Sequence, residues 1–160
     1  MGGVGESPKG LVALLMIAVG FVLNTVGFAA PYWVTAAGGS RFGLWMYCDF
    51  LDNCHQWDSD GITFAKFDQI RAFEGLGFVG TLVVLFCTVL YMCVPKVSGN
   101  KILGILDVLV CFASAGAIII GVIIFGSEHS NLGWAFGLST AGGVLFALAG
   151  VLIILAMCRK

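Results

Sequence analysis

Residues 31–54 read PYWVTAAGGSRFGLWMYCDFLDNC, and they open the one long polar segment of the chain, which runs from Pro31 to Glu74. Aromatic residues surround the Gly-Leu-Trp sequence at 43–45, and a turn signal, Gly38-Gly39-Ser40, precedes it. β-Prone residues bounded by turn signals are typical of short strands. The predicted strands are 33–36, 42–50 and 54–57, with a turn at Asp52-Asn53 between the last two.

The composition indicates a membrane protein. Of the 160 residues, 59% are hydrophobic and 11% are charged, whereas soluble domains carry about a quarter charged residues. The net charge is −1 and no basic patch is present, so no nucleic-acid partner is expected. The lipid bilayer is therefore the expected surrounding of this chain.

Outside the polar segment, the chain consists of four apolar runs that are long enough to cross a bilayer. A helix of about 20 residues crosses about 30 Å of hydrocarbon, and lipid forces the backbone to pair within the helix. The predicted spans are 10–30, 75–94, 102–125 and 134–157, and loops 31–74 and 126–133 lie on one side. The short later connections make the last three spans antiparallel neighbours, so we predict one domain of four membrane helices.

The basic residues near the span ends predict the orientation. Those on one side are Lys9, Lys96, Lys101, Arg159 and Lys160, and those on the other are Arg41, Lys66 and Arg71. The side that is richer in lysine and arginine faces the cytoplasm. We therefore predict that both termini are cytoplasmic and that the long loop is extracellular.

Two of the six cysteines, Cys48 and Cys54, lie in the long polar loop. In an oxidising compartment a disulfide is the default for such a pair, so we predict one here. Cys93 and Cys158 lie at the predicted cytoplasmic boundary, where S-palmitoylation is chemically plausible. The favoured interpretation of both is simpler, namely small buried or lipid-facing residues.

A change of period after residue 61 predicts a short amphipathic helix that runs into the second span. Phe64, Phe67, Ile70 and Phe73 recur at spacings of three. Asp68, Arg71 and Glu74 occupy another face of that helix, which we take to be polar. Glu74 is thus counted among the acids outside the membrane.

The sequence gives little support for catalysis, and neither an enzyme nor a cofactor is predicted. His55 and His129 lie in different loops, and neither has a metal-ligand spacing. The acids of the long loop are interpreted as a solvated face that could attract ions, and they are Asp49, Asp52, Asp58 and Asp60. Asn24 and Asp107 lie inside predicted spans, where we favour structural roles.

Glycines in the predicted spans are interpreted as helix-packing positions. The sequence Gly75-Leu-Gly77-Phe-Val-Gly80 matches a dinucleotide fingerprint, but it follows no strand and lies in an apolar span. Small residues let helices approach closely, which explains such spacings better. The other packing candidates are Gly20, Gly27, Gly133, Gly137, Ala141, Gly143 and Ala147.

The order Trp33, Gly43-Leu44-Trp45, Cys48 and Cys54 resembles the W…GLW…C…C signature of the claudin, peripheral myelin protein and epithelial membrane protein superfamily. Arg71 is similar to the arginine that these proteins place before their second span. The resemblance implies a left-handed four-helix bundle that carries a small extracellular antiparallel sheet pinned by the disulfide.

The same resemblance implies a plasma-membrane protein of cell–cell contacts, which self-associates side by side to form a barrier or adhesion. Head-to-head association across the gap is the further mode that the resemblance suggests. The alternatives are an auxiliary subunit that binds a channel or receptor, and a myelin-protein-like organiser of the membrane. The loop at 126–133 is short for a head-to-head contact, and the end Cys158-Arg159-Lys160 predicts no PDZ scaffold. If copies line an intercellular path, the acids predict a mild cation preference.

Overall fold

The computed structural model describes residues 8–57, 65–94, 96–97 and 100–158. Within these residues the helices are α1 (Pro8–Ala29), α2 (Ala65–Cys93), α3 (Lys101–Glu128) and α4 (Trp134–Met157). All four are long and apolar enough to cross a membrane. The predicted fold class, a bundle of four membrane helices with a small antiparallel sheet, is confirmed.

The helices α2 and α3 pack along a seam with a regular spacing. Buried positions in each recur alternately three and four residues apart, which is the 3.5-residue period of left-handed helix packing. On α2 these positions are Ile70, Glu74, Gly77, Thr81, Val84, Thr88 and Tyr91. On α3 they are Gly104, Asp107, Cys111, Ser114, Ile118, Gly121 and Phe125, and the adjacent Val108, Ala115 and Val122 are buried as well. Gly121 lies against Glu74 and Gly104 lies near Tyr91, so the two helices are antiparallel.

Glycines bring α1 and α4 into backbone contact. A Cβ at Gly27 would lie 2.7 Å from the Ser139 nitrogen, and one at Gly142 would lie 2.9 Å from the Gly20 oxygen. The packing interpretation is therefore confirmed for Gly20 and Gly27. It is wrong for Gly75 and Gly137, because a Cβ at either position would meet nothing within 4 Å.

The strands of the described chain form one antiparallel sheet in the order β1 (Val34–Thr35), β2 (Arg41–Phe42), β3 (Met46–Cys48) and β4 (Cys54–Gln56). We predicted a single strand over 42–50, whereas the structure interrupts it between β2 and β3. The interruption lies at 43–45, where a Cβ on Gly43 would be 2.6 Å from the Cα of Pro31. The backbone of residues 43–45 turns toward the C-terminal end of α1 instead of continuing the strand.

The connection between α3 and α4 joins the edge of this sheet. Leu132 forms a β-bridge with Val34, and the Thr35 N–H donates to the Asn131 carbonyl at 3.2 Å. The short loop is therefore bound to β1, and it helps to hold the sheet over one end of the bundle. We call this end, where α1 ends and α2 begins, the sheet end.

Candidate interaction site at the sheet end

Trp33 fastens the sheet to the helices below it. Its side chain is fully buried, and its indole N–H donates to the Gly27 carbonyl at 2.7 Å. The ring packs edge-on against Phe125 of α3 and Phe136 of α4, with centroids 4.9 and 5.7 Å away. One side chain therefore holds three helices and β1 together, which explains its position before the first strand.

The Gly-Leu-Trp sequence is a second attachment. Leu44 is fully buried in the same core cluster as Trp33, and the Trp45 ring packs against Phe28 with centroids 5.2 Å apart. Gly43 is required because its backbone touches Pro31 so closely that no side chain fits there. The three residues therefore dock the sheet on the end of α1.

Arg71 connects α2 to this attachment. Its Nε–H donates to the Leu44 carbonyl at 2.7 Å, and its guanidinium lies 5.4 Å from the ring centres of Trp45 and Phe67. Asp68 lies one helical turn away, at 3.7 Å from the guanidinium. The structure thus brings the predicted motif residues together, and their contacts are those of a structural clamp.

The predicted disulfide between Cys48 and Cys54 is confirmed, and it pins β3 to β4 at facing positions of the register. Between the two cysteines the chain turns at Asp52, whose φ of 62° is left-handed. We call residues 49–53 the hairpin tip.

The acids of the hairpin tip have partners within the chain. Asp49 accepts hydrogen bonds from the backbone N–H groups of Leu51 and Asn53, both at 2.9 Å. The Asn53 N–H holds the pKa of Asp49 below its ordinary value. Asp52 forms an ion pair with Arg41, which also donates to the Tyr32 hydroxyl. Asp58 and Asp60 lie outside the described residues, so the ion-attracting face stays a prediction.

Two large apolar side chains project from the hairpin tip. Phe50 is 70% exposed and Leu51 is 66% exposed, although both lie in the loop that we predicted to be polar. Sequence reasoning missed them as a surface because it considered only their acidic neighbours. The sequence did contain a signal for this surface, namely two apolar residues between two aspartates in a predicted turn. Side chains in so short a turn cannot reach a hydrophobic core, so they are exposed.

A cavity of about 470 Å³ lies between the sheet and the helices. We call it the sheet–helix cavity, and its lining residues are Val34, Phe42, Trp57, Lys66, Phe67, Ile70, Phe125, Glu128 and His129. Apolar side chains form most of this wall. The ionisable groups are adjacent, because Lys66 donates to Glu128 at 2.6 Å and His129 follows it in the chain.

Glu74 does not lie outside the membrane bundle as predicted, because α2 begins upstream of it and its side chain is fully buried. The Ser139 hydroxyl donates to Glu74 Oε2 at 3.0 Å, and Asn24 Nδ2 donates to the same Ser139 oxygen at 3.2 Å. This network joins α2, α4 and α1 in the interior. The structural role predicted for Asn24 is thus supported by its contacts.

A second buried pair lies further along α2. The Thr88 hydroxyl donates to Asp107 Oδ2 at 2.8 Å across the seam with α3. Asp107 therefore has a hydrogen-bond partner on the neighbouring helix, as expected for a packing role. Cys93 and Cys158 are exposed, at the ends of α2 and α4 that lie opposite the sheet end, and their palmitoylation stays a prediction.

Antiparallel apolar helices that carry a clamped, disulfide-bonded sheet define a tetraspan membrane protein. Residues 9–134 match the family model of the lipoma HMGIC fusion partner-like proteins, a family of tetraspan membrane proteins, and the chain belongs to this family. A comparison with curated proteins finds no match.

The resemblance to the claudin, peripheral myelin protein and epithelial membrane protein superfamily was therefore the wrong family assignment. The structure gives a physical reason for the error. Trp33, Leu44 and Arg71 are occupied in attaching the sheet to the helices. Such residues indicate that a sheet is docked on a bundle, and they do not distinguish which family the bundle belongs to.

Proposed function

We propose that this protein is a non-catalytic plasma-membrane protein that acts by binding other proteins through an extracellular sheet, in the first place further copies of itself at cell–cell contacts. The observation that carries the proposal is the hairpin tip, where Phe50 and Leu51 project into the surroundings of a disulfide-pinned turn. Burying a side chain of this kind stabilises a complex by about 1.5–3 kcal/mol.

The hairpin tip is a small surface that is suited to the centre of an interface. Two apolar side chains on a small rigid loop can form the centre of an interface, because a few central residues carry most of the binding energy. Asp49 keeps the loop in its turn conformation through bonds to backbone N–H groups. The tip is therefore ordered before it binds, which lowers the entropic cost of association.

The test uses two populations of cells that express the full chain with different fluorescent tags. We expect enrichment at borders between two expressing cells and none at borders with cells that lack the protein. The double variant Phe50→Ser, Leu51→Ser should abolish the enrichment. Ala37→Ser changes the other exposed turn of the sheet and is the matched control.

Surface labelling and a non-reducing gel establish that each variant reaches the plasma membrane with its disulfide intact. Enrichment that survives the double variant would refute the role of the hairpin tip. Absence of enrichment for the parent chain would refute self-association at contacts.

A second candidate function is that of an auxiliary subunit, which binds a channel or receptor in the same membrane. The pairing of 131–132 with β1 favours it, because this loop is bound to the sheet and so contributes little to a contact across a gap. This candidate predicts that isolated cells contain complexes larger than the self-assembled protein, and that the tip variant dissolves them. Crosslinking at the surface of sparse cells would measure their size.

A further inference from the structure

The sheet–helix cavity lies where the apolar helices end. Lys66 and Glu128 are the terminal residues of two membrane-spanning segments, and both line it. Charged residues that follow long apolar helices mark the level at which hydrocarbon gives way to polar surroundings. The volume of about 470 Å³ lies within the range of pockets that hold small ligands, about 300–1,000 Å³. A ligand here would be in reach of the membrane.

The wall of the cavity is suited to an apolar body. The sheet contributes Val34 and Phe42, and the helices contribute Ile70 and Phe125. The Trp57 ring packs between Phe42 and Phe67, with centroids 5.9 and 5.4 Å away, so one side of the cavity is aromatic. A polar metabolite would lose its hydration against this wall without gaining enough hydrogen bonds in return.

The polar groups are concentrated at one edge, and their charges compensate. The Lys66 ammonium lies 2.6 Å from a Glu128 carboxylate oxygen, and both side chains are exposed. A lysine that is already paired in this way attracts an anionic headgroup poorly, because the carboxylate repels it. Among the described lining residues, the site therefore favours a neutral polar group.

His129 supplies a hydrogen-bond acceptor at the same edge. Its Nδ1 lies 3.2 Å from the Phe125 carbonyl oxygen, and the ring stacks on Phe125 with centroids 4.5 Å apart. A carbonyl oxygen only accepts, so Nδ1 carries the hydrogen of this bond. In a neutral imidazole the other nitrogen, Nε2, is then an acceptor. The edge thus combines an acceptor on His129 with the remaining N–H donors of Lys66.

We propose that the sheet–helix cavity binds a neutral membrane amphiphile with a hydroxyl headgroup, which donates to His129 Nε2 and accepts from Lys66 while its apolar body occupies the cavity. Sterols and acylglycerols share this chemistry. The proposal rests on the cavity and does not depend on the hairpin tip or on self-association.

The test is photolabelling of the full-length protein in phosphatidylcholine vesicles, with diazirine probes based on a sterol, a diacylglycerol and phosphatidylserine. We expect one of the two hydroxyl probes to label peptides that contain the cavity residues, and the unlabelled parent lipid to compete. The probe that labels these peptides identifies the bound lipid as a sterol or as an acylglycerol. Phosphatidylserine probe should label these peptides far less.

Two variants locate the site, and a third serves as the control. His129→Phe keeps an aromatic ring on Phe125 but removes the acceptor, and we expect about a fivefold loss of labelling, the effect of one neutral hydrogen bond. Val34→Phe fills the cavity and should abolish the labelling. Phe50 is not a lining residue, so Phe50→Ser should leave the labelling unchanged.

Labelling spread evenly over the lipid-facing helices would overturn the proposal, as would equal labelling by the anionic probe. Insensitivity to His129→Phe would overturn it as well. If the Val34→Phe variant does not fold, the result for His129→Phe alone tests the proposal. This variant is expected to fold, because His129 lies beyond the end of α3 and is not part of the helix core.

Discussion

Replacing Glu74 by alanine should destabilise the bundle, whereas glutamine should be tolerated. Glu74 is fully buried and accepts from Ser139 at 3.0 Å, and its Oε1 has no hydrogen-bond partner among the described residues. Alanine removes the acceptor of an interhelical hydrogen bond, which is worth about 0.6–2 kcal/mol in membranes, and leaves a cavity beside Gly121. We expect a total loss of about 2–4 kcal/mol.

Glutamine keeps both the volume and an acceptor for Ser139. Its amide also carries donors, which suit an interior where the Asn24 Oδ1 atom is likewise without a partner in the described chain. We therefore expect Glu74→Gln to lie within about 1 kcal/mol of the parent protein, or to be more stable, since a neutral side chain is the cheaper one to bury in a membrane.

The measurement is reversible unfolding of the purified protein in bicelles by a denaturing detergent. Glu128→Gln is the matched control, because it removes an exposed carboxylate whose solvent-exposed ion pair with Lys66 contributes little to stability. In a double-mutant cycle of Glu74→Ala with Ser139→Ala, the losses in the free energy of unfolding should be less than additive. If Glu74→Gln were as unstable as Glu74→Ala, the network would require a charged carboxylate and the reasoning would be wrong.

Four further predictions concern the clamp, the helix contacts, the hairpin tip and the topology. Arg71→Lys should raise hydrogen exchange at the Gly-Leu-Trp segment, because lysine does not reproduce both the bond to the Leu44 carbonyl and the packing on the rings; unchanged exchange would contradict the clamp. Gly27→Ala should lower stability by about 1–3 kcal/mol through overpacking, while Gly137→Ala should be neutral, as thermal denaturation will show. The pKa of Asp49 is lower in the folded protein than its ordinary value. The ionised carboxylate therefore stabilises the turn at pH values above the ordinary carboxyl pKa, and this stabilisation is lost as the pH falls through the folded pKa. The protection of the tip amides, corrected for intrinsic exchange, should therefore fall in acid. Asp49→Asn should reduce this dependence to the part that comes from the ion pair between Asp52 and Arg41. Epitope tags at both termini should be detected only in permeabilised cells, and a tag detected on intact cells would reverse the orientation.

The membrane helices and the disulfide were predictable because each depends on a local property of the sequence. Apolar length alone indicates a spanning helix, since unpaired backbone groups are too costly in lipid. Cys48 and Cys54 stood apart from the other cysteines in the one long polar loop. Neither prediction required knowledge of which residues meet in space.

The predicted position of Glu74 was wrong because the second span was taken to begin at residue 75, directly after this acid. Hydropathy treats every carboxylate as an end of a membrane segment, although a bundle interior can hold one that is hydrogen-bonded. The signal was nevertheless present. Glu74 lies four residues after Ile70 and three before Gly77, in the alternating spacing that continues through Tyr91. A search for a 3.5-residue repeat across the predicted boundary would have placed Glu74 on the seam.

The predicted strand over 42–50 failed for a related reason, since β-propensity does not show where a neighbouring backbone approaches. Gly43 meets the backbone of residues 30 and 31, and the following Leu44 enters the core, so the chain leaves the sheet for three residues. The stretch from Phe42 to Phe50 has the composition of a strand, but residues 43–45 within it have the environment of a docking turn. Only the tertiary contact distinguishes the two.

The same contact limits what the signature residues reveal about function. Trp33, Leu44 and Arg71 are each held by partners on the helices or the sheet, so selection for this architecture alone would retain them. Residues that make no such contacts are free to differ between tetraspan proteins with different partners. At the sheet end, the exposed side chains of Phe50 and Leu51 take no part in the clamp. His129 contacts Phe125 but likewise lies outside the clamp, at the edge of the sheet–helix cavity. Changes there should alter binding while the fold persists, whereas changes in the clamp should affect both together.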